Sequence, residues 1–112
     1  MINQRVFELV KENEYIIPPS EVTKSVFAPF PIDGSYEGRF ILKIPRNDYY
    51  YDSIVESGNV STAYLNIFNN GKLHTYKMYD AKVISYQTIM CYNPDGELAD
   101  YKYVNIVLMY TP

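Results

Sequence analysis

Few side chains in this 112-residue sequence could do chemistry, and they are scattered. His74 is the single histidine, in Leu73-His74-Thr75-Tyr76. A nucleophile–His–acid triad would have to use it, because imidazole is the base that titrates near neutral pH. The available nucleophiles are several serines and Cys91, the single cysteine. None sits in a Gly-x-Ser-x-Gly elbow or another activating context. His74 therefore reads as a surface strand residue, and Cys91 as a small buried hydrophobe inside an apolar strand. One His and one Cys cannot compose a zinc site. Asp48 and Asp52 could hold a hard cation, but the spacing lacks the Gly and third oxygen ligand of an EF-hand loop. No two of the five glycines form a phosphate-cradling loop. Paired-carboxylate hydrolysis leaves no signature among 13 Asp and Glu residues. The sequence thus indicates no cofactor, metal or small-molecule substrate, and it reads as non-enzymatic.

One segment has a binding character: Asn47-Asp48-Tyr49-Tyr50-Tyr51-Asp52. Neighbouring side chains on a strand point to opposite faces, so at least one of the three rings should meet solvent or a partner. Tyr49, Tyr50 and Tyr51, with Asp48 and Asp52, are the candidate partner-binding residues. The competing reading puts Tyr49 and Tyr51 in the core and leaves Tyr50 as a lone exposed ring. The flanking carboxylates argue against a phosphate-bearing ligand.

The elements that must position these residues are mostly strands. Ala81 to Tyr92 and Asp100 to Tyr110 are two long apolar, Tyr-rich runs around the turn signal Asn93-Pro94-Asp95-Gly96. On the last run Val104, Ile106, Leu108 and Tyr110 share one face. Tyr103, Val107 and Met109 share the other, and Lys102 and Asn105 are the polar exceptions. Val60 to Phe68 and Leu73 to Tyr79 flank Asn69-Asn70-Gly71, whose Asn-Gly supplies the positive φ angles of a type I′ hairpin. Asp80 marks a bulge or bend. Tyr36 to Ile44 alternates, with Tyr36, Gly38, Phe40, Leu42 and Ile44 on one face, and Pro45 ends it. Tyr49 to Val55 reads as a further strand. Residues 3 to 13 predict a short helix, capped by Asn3, with Val6, Phe7, Leu9 and Val10 as its apolar stripe. Residues 18 to 35 predict a surface-hugging connector that buries Val26, Phe27 and Phe30, with an interdomain linker as the alternative. The expectation is a single domain over residues 1–112. It is mainly β (α+β by content): an antiparallel β-sandwich or open barrel of about six strands with one short N-terminal helix.

Composition narrows the partners. Charged residues are 21% and hydrophobic residues 47%, as in ordinary globular chains. The net charge is −3 with Lys and Arg scattered singly, so duplex nucleic acid is not an expected partner. A single cysteine excludes an intramolecular disulfide. The first residues hold no continuous apolar h-region, and no run approaches the length of a membrane span. The expected location is the cytoplasm or a particle assembled there, and Asn59-Val60-Ser61 then matches the glycosylation pattern by accident. Tyrosine is the outlier, with 13 Tyr, 5 Phe and no Trp. It favours strands and also interfaces, where a flat apolar body carries one polar tip.

The segment Tyr76-Lys77-Met78-Tyr79-Asp80-Ala81-Lys82-Val83-Ile84-Ser85-Tyr86, a polar loop, and Tyr103-Val104-Asn105-Ile106-Val107-Leu108-Met109-Tyr110 resembles the end of tail-tube proteins. These build the inner tubes of contractile phages, and the haemolysin-coregulated tube proteins of type VI secretion are similar. The likeness covers residues 73–110. It implies a non-enzymatic β-sandwich that assembles into rings through strand edges and loops, with no catalytic residues to transfer. The length suits a tube-end, collar or other virion component better than the tube itself. The expected function is a structural or assembly protein that self-associates or docks on protein partners. The alternative is a small binding module or viral inhibitor of a host protein, anchored by Tyr49–Tyr51.

Overall fold

The computed structural model describes residues 3–29, 34–46 and 61–112. Among them are six strands: β1 (Gln4–Lys11), β2 (Glu14–Pro29), β3 (Tyr36–Pro45), β4 (Ser61–Asn69), β5 (Lys72–Tyr92) and β6 (Leu98–Thr111). All neighbours are antiparallel, and the order β1-β2-β3-β6-β5-β4 closes into a barrel. The mainly antiparallel β architecture expected from the sequence is present, as a closed barrel and not an open one.

Two long strands make the closure. β5 has 21 residues, which would span about 70 Å if straight, more than the molecule's longest dimension of 48 Å. It must bend, and it does so at Asp80, whose φ is 51° and where the register with β6 slips between Tyr79 and Lys82. Its first half pairs with β4 and its second half with β6. β2 behaves in the same way. It pairs with β1 up to Glu21 and with β3 from Glu21 onward, with a bulge between Val22 and Lys24. The barrel is therefore two sheets, β2-β1-β4-β5 and β2-β3-β6-β5, that share their bent outer strands. Strands that switch sheets through bulges are the usual corners of near-orthogonal packing.

The helix expected at residues 3–13 is absent, and those residues form β1 and the start of a hairpin. Phe7 and Leu9 alternate inward while Val6, Glu8 and Val10 face out. A stripe of four apolar residues fits both periods, and ladders to β2 and β4 on both sides decide for the strand. Glu12 and Asn13, with φ of 51° and 65°, make the two-residue turn into β2. The connector expected at residues 18–35 is also corrected. Up to Pro29 it is strand, and Phe30 lies outside the described residues. Pro18 and Pro19 are tolerated because β1 pairs Phe7 with Ser20 and Leu9 with Ile17, so both prolines sit in a bulge opposite Glu8.

The interior is filled by alternate residues of every strand: Phe7, Leu9, Ile17, Phe40, Leu42, Ile44, Ala63, Leu65, Met78, Val104, Ile106, Leu108 and Tyr110. The residues grouped on one face of β3 and of β6 in the sequence do share a face, and in both strands it is the inward one. Lys102 is the charged exception on the β6 inward face, at 3% exposure. Aromatic rings close one end. Tyr110 meets Tyr36, Tyr76 and Phe27, and Phe40 meets Phe7 and Phe27.

Candidate functional site

The sequence-selected binding residues Asp48, Tyr49, Tyr50, Tyr51 and Asp52, and the strand expected at Tyr49–Val55, lie outside the described residues. His74 is exposed on β5 opposite Ile67. Cys91 is half-buried and not fully enclosed as expected, with its Sγ 4.0 Å from the Ile89 carbonyl oxygen. Among the described residues no group of three His, Cys, Asp or Glu side chains could hold a metal ion. There is no helix among the described residues long and apolar enough to cross a membrane.

What the fold does present is a strand edge. From Lys82 to Tyr92, β5 pairs with β6 on one side and with no strand among the described residues on the other. Natural edges are normally guarded by charge, proline, bulges or shortness. This one has no charged residue and no proline from Val83 to Asn93. It has register slips at Ile84 and at Cys91, and between them Ser85–Met90 runs in regular register against Val107–Lys102. Ile84, Ile89, Met90 and Tyr92 are exposed along it. The opposite edge of the same sheet is the second half of β2, which exposes Val26 and Phe27 but carries Lys24 and ends in Pro29. Both apolar residues correct the expectation of burial. Val26 lies on the outer face opposite Arg39, and the Phe27 ring packs on Phe40, Tyr76 and Tyr110 with one side open.

The β5–β6 hairpin projects this edge firmly. Gly96 N–H donates to the Asn93 carbonyl at 2.9 Å, and Asn93 N–H donates to the Glu97 carbonyl at 2.8 Å. Glu97 N–H also donates to Asp95 Oδ1 at 3.0 Å. Gly96 has a φ of 88°, a conformation that favours glycine. On the neighbouring outer face Lys43 Nζ stands 4.4 Å from the Tyr101 ring centre, and Tyr101 meets Tyr103 edge-on. The tyrosine excess thus divides. Tyr36, Tyr76 and Tyr110 close the core, Tyr101 and Tyr103 line the outer sheet, and Tyr15, Tyr79 and Tyr92 are exposed.

A second feature is a partly open depression of about 350 Å³ on the outer face of the β2-β3-β6-β5 sheet. Its polar lining is Lys24, Arg39, Ser85, Gln87 and Asn105, over Val26, Ile41 and Val107. Asn105 Oδ1 is buried there without a hydrogen-bond partner. Alternation on β3 made its outward face legible in sequence, but nothing there signals which outward residues converge across four strands.

No family model, curated protein or solved structure matches this chain.

Proposed function

We propose that this protein is a non-enzymatic assembly component that self-associates through the outer edge of the second half of β5. The observation that carries this reading is the uncharged, proline-free stretch from Val83 to Asn93, which pairs on one side only among the described residues. An outer ladder of N–H and C=O groups that meets no second strand among the described residues, beside exposed Ile84, Ile89 and Tyr92, offers backbone hydrogen bonds and apolar area together. Repeated pairing of one copy's edge with the next copy's opposite edge makes a ring if the rotation closes. The C-terminal likeness to tube proteins supports a setting in a virion, phage tail or related injection machine, assembled in the cytoplasm.

The test is sedimentation of the wild-type chain beside an Ile84→Lys/Ile89→Lys variant. Both positions are exposed, so the fold should be retained while charge blocks the edge. The expected result is concentration-dependent association in the wild type and none in the variant. Equal association in both would reject the edge as the contact.

A further inference from the structure

The depression on the outer sheet face carries a reading that does not depend on self-association. Its floor crosses four strands in two rungs: Lys24, Ile41, Asn105 and Gln87 in one, and Val26, Arg39, Val107 and Ser85 in the next. The two cations stand at the β2–β3 side, and the amides and hydroxyl at the β6–β5 side. The side chains of Lys24, Ser85 and Gln87 make no hydrogen bond or ion pair within the described residues. Arg39 Nη2 meets only Glu37 Oε1, at 3.2 Å, and the Arg39 side chain is 62% exposed. Such an exposed pair is weak and is readily given up to a second anion.

Asn105 is the informative member. A buried amide oxygen without a donor is a cost that folding alone gives no reason to retain. Its terminal torsion is broad, so a modest turn brings Oδ1 to the opening, where a bound hydroxyl could donate to it. The volume lies at the small end of ligand pockets.

We infer that this depression binds a small hydroxylated carboxylate, of the size and chemistry of an acidic monosaccharide. The carboxylate lies against Lys24 and Arg39, and a ring hydroxyl donates to Asn105 Oδ1. Gln87 and Ser85 bond the remaining hydroxyls, and Val26, Ile41 and Val107 take the apolar ring edge. Phe40 is the one aromatic residue along the depression, and it is buried with its ring packed on Phe7 and Phe27, so it offers no open face for a nucleobase to stack on.

The experiment titrates the full chain with D-glucuronate, D-glucose and acetate and follows amide chemical shifts. The expected result is saturable change at Asn105, Gln87 and Arg39 with glucuronate alone. Lys24→Gln/Arg39→Gln should abolish it. Asn105→Leu should weaken it about tenfold while thermal stability holds or rises, because an unsatisfied buried oxygen is removed. A merely structural Asn105 would do the reverse, with stability falling and affinity unchanged. That result would overturn the assignment. So would equal responses to glucose and acetate, no saturable response, or binding undiminished in the Lys24/Arg39 variant.

Discussion

At the scale of single residues, the aromatic end of the barrel depends on one missing side chain. A Cβ at Gly38 would lie 2.9 Å from the Phe40 ring and 3.3 Å from the Tyr110 ring. Both rings are held by neighbours, so neither can retreat freely. Gly38→Val should therefore destabilise the fold by about 1–3 kcal/mol, read as a lower urea midpoint with an unchanged slope. Tyr110 gives a pH signature. Its hydroxyl is pushed above the usual tyrosine value of about 10, first by burial and then by the Tyr76 hydroxyl 3.4 Å away. The folded state thus holds this proton more tightly than the unfolded chain does. The stabilising contribution is complete below about pH 10 and is lost as pH rises toward the folded-state value. Urea denaturation at pH 8 and pH 10.5 should show a loss in the wild type that is smaller in Tyr110→Phe. Equal losses in the two proteins would remove Tyr110 from the account.

Elements are where sequence and structure part most clearly. The Asn70-Gly71 hairpin was legible because its φ angles, 52° and 79°, are those that Asn and Gly adopt most readily. The inward face of β3 was legible because a strand buried on one side must alternate, whereas β6 carries apolar residues on both faces and its inward side is chosen by the barrel. β1 was not, because Val6, Phe7, Leu9 and Val10 satisfy helix and strand spacing alike, and the choice is made by β2 and β4 from elsewhere in the chain. β2 was hidden by Pro18 and Pro19, which argue against a strand unless a bulge is known to receive them. The bend at Asp80 was legible as punctuation, but its role as a barrel corner was not. That corner is testable. Asp80 holds a φ of 51°, which Gly adopts freely and a β-branched residue adopts only with strain. Asp80→Gly should leave the thermal midpoint within a few degrees. Asp80→Val should cost about 1–3 kcal/mol. If Val is tolerated as well as Gly, the corner is not fixed by this residue.

At the scale of the whole molecule, closure and openness coexist. The pairing graph closes, yet the two strands that turn the corners pair with different neighbours in their two halves. The second half of β5 is the most apolar of the one-sided stretches, and the edge on the far side of its sheet carries Lys24 and Pro29 as guards. None of this could be read from the C-terminal strand pair by periodicity, because which edge lacks a second strand among the described residues is a property of topology. The partner candidates Tyr49, Tyr50 and Tyr51 came from local composition, and the edge came from topology. The most direct measurement is the sedimentation-velocity mass of the wild-type chain from micromolar to near-millimolar concentration. The account predicts a rise from monomer to a closed oligomer, abolished by Ile84→Lys/Ile89→Lys. A single monomeric species across the whole range would contradict it.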